Sequence, residues 1–203
     1  EYQLGKSQIF ISVLIILGVV NVLNLFDGIN GQVGIYFFFL ISVLILKNNL
    51  LIILILPSLI AFIYLNLKKQ AFMGDGGIFI LSSFLYINFA SIYNQKLIDL
   101  YEITFLLLIP SIDTLRLFFT RIVKNQSPLI GDRQHLHHLL LNNFSLTKTL
   151  AIIYFLVIFP YLIYKLAAGK YFFIILILQI LFYIFVILRS KKGPNVFFAR
   201  KFK

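Results

Sequence analysis

The chain has 203 residues, 61% of them hydrophobic and 12% charged, with 18 Lys and Arg against 7 Asp and Glu for a net charge of +11. A soluble domain needs roughly a quarter of its residues charged to cover its surface, so a mean hydropathy of +0.97 excludes that class and marks an all-α, polytopic integral membrane protein. There is no cysteine, which excludes a disulfide framework and a thiolate metal site.

A helix needs about 20 mostly apolar residues to cross roughly 30 Å of hydrocarbon. About seven transmembrane segments are predicted, over 8–26, 33–47, 50–67, 77–94, 102–120, 149–168 and 171–189. The second is short and reads as tilted or partly re-entrant. One membrane domain over 1–189 and a basic tail over 190–203 account for the chain. It opens on Glu1 and its single methionine is Met73, so the N-terminal part of a longer protein is expected to be missing; no secretory leader is visible.

With the spans laid down as alternating crossings, thirteen of the 18 basic residues fall on one side, among them Lys68, Lys69, Arg116, Arg121, Lys124, Arg133, Lys148 and the six from Arg189 onward. The positive-inside rule makes that side cytoplasmic. The basic tail is then expected on anionic lipid head groups, at about 1 kcal/mol per basic residue, and nucleic acid is not an expected partner.

The first span ends in NVLNLFDGINGQVG, where Asn21, Asn24 and Asp27 recur every three residues and share one polar strip. Gly28, Gly31 and Gly34 follow at the same interval. They read either as a small-residue packing seam or as an opening for a ligand. Asp27 is an ionisable group at the bilayer edge and implies a partner, a pathway or a ligand. The two spans that follow are scaffold, with Pro57 as a potential kink.

In KKQAFMGDGGIFIL, Asp75 sits between Gly74 and the pair Gly76 and Gly77. It reads either as an unobstructed oxygen ligand for Mg²⁺ or as a helix N-cap. Asp99 and Glu102, on the other side, look like ordinary solvated charges. In the fifth span Pro110 precedes Asp113 and Arg116, three apart on one face. These form either an intrahelical ion pair or a device that orients a phosphate-binding loop.

Residues 120–148 make the longest non-spanning stretch, and GDRQHLHHLL within it holds all three histidines, His135, His137 and His138. Loops this long are usually functional or disordered. If the stretch is helical, His135 and His138 share a face that would suit a metal while His137 points elsewhere, but no thiolate is available for zinc. Asp27, Asp75, Asp113, Asp132 and the histidines all fall on the expected cytoplasmic side. Carboxylates for Mg²⁺, cationic groups for phosphate and glycine loops for a nucleotide are the parts of a phosphoryl-transfer site.

The motifs NVLNLFDGINGQ, FMGDGG, PSIDTLRLFFTR with SPLIGDR, and DRQHLHHLL, in this order, resemble the polyprenyl-phosphate N-acetylhexosamine-1-phosphate transferases, a glycosyltransferase family 4 type. The likeness runs from about Asn21 to Leu141, and the histidine motif is similar to that of the bacterial undecaprenyl-phosphate N-acetylglucosamine-1-phosphate branch. The resemblance implies transfer of a sugar-1-phosphate from a UDP-sugar to a polyprenyl phosphate with release of UMP. It implies Mg²⁺ as cofactor, Mn²⁺ as a substitute, the bacterial cytoplasmic membrane as location and, by analogy, a homodimer. By position, Asp75 resembles the magnesium ligand and Asp27 a carboxylate of the nucleotide-sugar site. Asn21 and Asn24 would help hold the diphosphate, and Phe72 would lie near the uracil. His135, His137, His138 and Arg133 would hold the donor's phosphates and sugar.

There are departures. The family's adjacent aspartate pair has no counterpart, Asn30 stands where many members have a second aspartate, and Ile78 replaces the usual serine of the metal loop. The alternative reading is therefore a catalytically incomplete membrane protein that binds nucleotide sugar or lipid phosphate without transfer. An ion transporter would spread polar residues through the depth of the bilayer, whereas here they collect at one face.

Overall fold

Lipid offers no partner to backbone N–H and C=O groups, so apolar stretches of this length can cross it only as helices or closed barrels. The computed structural model, which describes residues 6–47, 50–127 and 134–191, is helical along each expected span. Helix α1 is Lys6–Phe26, α2 Gln32–Leu46, α3 Leu56–Leu67, α4 Gly74–Asn94, α5 Leu100–Val123, α6 Leu136–Leu141, α7 Leu146–Leu166 and α8 Phe172–Lys191. Four of them, α4, α5, α7 and α8, are long and apolar enough to cross a membrane, while three shorter apolar stretches lie over Phe10–Phe26, Gln32–Leu46 and Ile52–Leu67.

The third span is not α-helical throughout. Its first part, Leu50–Ile55, is a 3₁₀-helix, and Pro57 stands in the first turn of α3 rather than kinking a continuous helix. The tighter winding lengthens the element. At about 2.0 Å per residue for the 3₁₀ part and 1.5 Å for the α part, the segment reaches roughly 30 Å, the thickness of the hydrocarbon layer. Pro110 in α5 and Pro160 in α7 end neither helix.

Helices α3, α4, α5 and α7 stop in the same way, with a left-handed residue after the last turn: Lys69, Lys96, Asn125 and Ala168. In each, the N–H of that residue bonds the carbonyl three back and the next N–H the carbonyl five back, as in Lys69 to Asn66 and Gln70 to Leu65. The two bonds satisfy carbonyls that the helix end would otherwise leave open.

The helices cluster in two compact units, Glu1–Leu100 and Tyr101–Lys203. In the first, α2 packs against α1, α3 and α4 and buries Tyr36, Phe37, Leu40, Ile41 and Leu44. Gly34 lies where a Cβ would meet Ile63 Cγ1 at 2.9 Å and Phe62 Cε1 at 3.1 Å, so at this position the packing-seam reading holds. Gly31, at φ 84°, makes the turn into α2. Cross-bonds join the end of α1 to the start of α4, the start of α2 to the end of α3, and Lys47 Nζ to the Leu97 carbonyl. That is the alternation of direction expected of successive crossings.

In the second unit the start of α5 meets the end of α7. Phe105 packs on Tyr164 at 5.1 Å between ring centroids and on Phe172 at 5.4 Å. Here one expectation fails. Glu102 is not a solvated charge: it is 4% exposed and accepts from Lys165 Nζ at 3.0 Å. A carboxylate that packing draws below the surface needs such a partner.

Candidate functional site

In the first unit, α1 ends at Phe26 because the chain turns at Asp27, whose N–H still reaches the Leu23 and Asn24 carbonyls. Asn24 lies half-buried on the face of α1 that runs along α4. Its Nδ2 donates to Asp75 Oδ1 at 2.9 Å. Asp75 does not cap α4: Met73 holds the N-cap position, and Asp75 sits exposed in the first turn, where the helix N-terminus favours an anion. Space around it is open, since a Cβ on Gly74 or Gly76 would meet nothing within 4 Å. Gly74 also adopts φ +65°, a conformation that glycine takes without steric penalty. Ile78, by contrast, is buried at 1% exposure.

Asp27 and Asp75 feel each other. Burial, and then the charge of Asp75, push the Asp27 carboxyl up to about 6. Two carboxylates that repel each other, one of them open to solvent, favour a cation between them and solvent. Among the described residues no group of three or more His, Asp or Glu is arranged to hold a metal. Mg²⁺ does not need such a group, because it keeps several waters and takes one or two carboxylates together with substrate phosphates. The donor set therefore fits Mg²⁺.

Asn21 does not join them: its Nδ2 donates to the Leu17 carbonyl of its own helix at 2.9 Å. Phe72 is 78% exposed on the strand of chain leading into α4.

A residue without a sequence signal braces this end of the unit. Asn66, 6% exposed in the last turn of α3, accepts from the Gly31 N–H at 2.5 Å and donates to the Ala71 carbonyl at 2.8 Å. One amide thus ties the turn after Asp27 to the segment before Asp75. Asn66→Leu removes both of these bonds, and the expected loss of stability is about 1–3 kcal/mol. Thermal unfolding in detergent micelles measures it, and an unchanged midpoint would contradict the brace.

In the second unit the histidines are organised by Asp113, 4% exposed in α5. Its Oδ1 accepts from Arg116 Nη2 at 2.8 Å and from the Tyr183 hydroxyl at 2.7 Å. Its Oδ2 faces His135 Nδ1 at 2.9 Å and accepts from the Leu136 N–H at 3.1 Å. A carboxylate only accepts, so Nδ1 carries the proton and donates. The Leu136 bond satisfies one of the open N–H groups that begin α6, a capping role taken by a residue of another helix. Arg116 also donates from Nη2 to the Gln134 carbonyl at 2.7 Å. The Asp113 and Arg116 pair is therefore the ion pair expected within α5, and it also bonds residues 134 to 136 ahead of and at the start of α6.

His135 precedes α6 with φ −60° and ψ 152°, so the shared helical face expected for His135 and His138 does not exist. His135 and His137 stack instead, with centroids 5.4 Å apart and planes at 3°, and His137 meets His138 at 4.3 Å. His135 and His137 are buried, at 8% and 2% exposure, while His138 is partly exposed. Asp132 and Arg133 lie outside the described residues.

Burial, and then the neighbouring His138 and His135, hold the His137 imidazole down at about 3, so its ring is neutral near pH 7. In the unfolded chain it protonates near 6.5. Between these values the unfolded state binds more protons, so His137 makes stability fall as pH drops from about 6.5 toward 3. The slope approaches about 1.4 kcal/mol per pH unit. Unfolding midpoints at pH 7 and pH 5 should converge in His137→Gln; an unaltered pH slope would contradict the assignment.

Comparison with known proteins adds two findings. Residues 2–93 match the family described as Glycosyl transferase family 4. Over 162 residues the chain is 25% identical to the undecaprenyl-phosphate alpha-N-acetylglucosaminyl 1-phosphate transferase of Yersinia pestis, a match covering 70% of this chain and 43% of that protein. It is 28% identical over 154 residues to the probable undecaprenyl-phosphate N-acetylglucosaminyl 1-phosphate transferase of Bacillus subtilis, covering 70% and 42%. The Escherichia coli K12 enzyme of the first name is 25% identical over 156 residues, again covering 70% and 42%. The chain thus spans less than half the length of these relatives. No solved structure matches it significantly.

Proposed function

For a chain that is a relative of the glycosyl transferase family 4 enzymes, we propose the activity of a sugar-1-phosphate transferase of the bacterial cytoplasmic membrane. The donor is UDP-N-acetylglucosamine or a related UDP-sugar, and the acceptor is a polyprenyl phosphate. An oxygen of the lipid phosphate bonds to the sugar-bearing phosphorus of the donor. The bond from that phosphorus to the bridging oxygen breaks, and UMP leaves with the bonding pair. The observation that carries this reading is the Asn24 bond to Asp75 at a glycine-opened helix start, with the charge of Asp75 felt at Asp27.

Asp75, with Asp27 beside it, would hold Mg²⁺, or Mn²⁺ in its place. When bound, the ion neutralises charge on the diphosphate. Asn24 fixes one oxygen of Asp75 and so sets the direction of the other. Within the second unit, His138 and Arg133 are the residues assigned to phosphate, and His135 and His137 hold the segment in shape. Neutral His137 contributes ring packing against His135 and His138, not charge. Phe72, exposed, offers a face for the uracil, and Asn21 would need to leave its own helix carbonyl to reach a ligand.

The test is UMP release from UDP-N-acetylglucosamine with undecaprenyl phosphate and Mg²⁺, using membranes that express the complete open reading frame. Turnover above an Asp75→Asn control supports the proposal. Donor binding without turnover would favour the incomplete, binding-only relative, and neither binding nor turnover would sink both readings.

A further inference from the structure

We propose that Tyr183 is a positioning residue for the histidine loop, acting through Asp113 from a helix that carries none of the family motifs. What the loop does for a nucleotide sugar rests on the function proposed above; that Tyr183 holds it rests on the geometry of the second unit.

Tyr183 is 2% exposed in α8. Its hydroxyl donates to Asp113 Oδ1 at 2.7 Å and accepts from Arg116 Nε at 2.8 Å. The two oxygens of Asp113 divide the work. Oδ1 takes the Tyr183 hydroxyl and Arg116 Nη2, both from spanning helices, whereas Oδ2 takes His135 Nδ1 and, at the shorter of its two distances, the Leu136 N–H. A carboxylate terminal torsion is broad and roughly two-fold, so the direction in which Oδ2 accepts depends on what fixes Oδ1. Without the hydroxyl, Oδ1 keeps Arg116, which sits three residues along the same helix and cannot brace α5 against another.

Helix α8 also holds the far end of the loop. Asn143, two residues past α6, donates from Nδ2 to the Ser190 carbonyl at 2.8 Å. Tyr183 and Ser190 are two helical turns apart, roughly 10 Å, which matches the length of about 9 Å for six residues of α6. One helix therefore grips both ends of the segment that presents His137 and His138. A tyrosine, not a phenylalanine, is what this geometry requires, because the ring packs and the hydroxyl links.

The experiment uses the full-length enzyme in detergent micelles with Tyr183→Phe, which keeps the ring. Tyr164→Phe serves as control, a buried tyrosine of α7 packed on Phe105. Calorimetry with UDP-N-acetylglucosamine and Mg²⁺ should show roughly tenfold weaker binding for Tyr183→Phe, the effect of one hydrogen bond to a charged group, and binding within about twofold of wild type for the control. Nitrogen-15 spectra of histidine-labelled protein, assigned with His135→Gln, read the loop without any nucleotide. The His135 Nδ1–H should exchange with solvent roughly tenfold faster in Tyr183→Phe than in wild type. Unchanged affinity, or unchanged exchange, overturns the proposal. Should wild type fail to bind the nucleotide sugar, the transferase reading falls and the exchange comparison alone decides this one.

Discussion

Asp75→Asn should lower the proposed sugar-1-phosphate transfer by roughly 10³-fold, the scale on which a lost electrostatic group slows an enzyme, while the unfolding midpoint stays where it was. The side chain is exposed in the first turn of α4, so little packing is at stake. Its amide oxygen can still accept from Asn24, which donates to Oδ1 at 2.9 Å. What disappears is the negative charge. The same substitution removes a charge that helps push the Asp27 carboxyl up, so Asp27 ionises more readily and offsets part of the lost negative charge. Transfer measured as UMP release across a Mg²⁺ titration is the check. Activity within tenfold of wild type at saturating Mg²⁺ would remove Asp75 from the proposed metal site.

Asp113→Ala should be the most destabilising single change in the second unit, at about 3–5 kcal/mol, because it strands the largely buried guanidinium of Arg116. It also takes the acceptor from His135, Tyr183 and the first N–H of α6. The double variant Asp113→Ala with Arg116→Met leaves no orphan charge and should recover part of the loss. If the double variant is less stable than the single, the pair is not coupled in this way. Thermal unfolding in micelles of wild type, Asp113→Ala, Arg116→Met and the double variant supplies the four corners, and the cycle isolates the coupling.

How much of this was legible beforehand depended on the range of the interaction. The spans were readable to within a few residues because membrane insertion is decided by local apolar length. α5 was expected over 102–120 and runs Leu100–Val123, and α7 was expected over 149–168 and runs Leu146–Leu166. The 3₁₀ start of the third span was not readable, since an apolar run carries no mark of its winding. Asp75 stood out because glycines flank it, and Asp27 because a charge at the end of an apolar helix needs a reason.

Asn66, Glu102 and Tyr183 did not stand out. Asn66 is one amide before two lysines, Glu102 resembles any loop acid, and Tyr183 is one of eleven tyrosines. Each acquires its role from a partner distant in sequence: Gly31, Lys165 and Asp113. The histidines show the same limit from the other direction. Their spacing suggested a helical pair, but Leu136 begins α6 under the Asp113 carboxylate and leaves His135 outside the helix.

By itself, then, the sequence determined a helical membrane chain, the limits of its spans and the residues worth asking about, because hydropathy and glycine placement act within a few residues. Only the tertiary structure decided which of those residues meet. It paired Asn24 with Asp75, buried Glu102 on Lys165 and hung the histidine loop from Asp113 and Tyr183. Those contacts follow from how helices far apart in the chain pack side by side, and no local pattern encodes that.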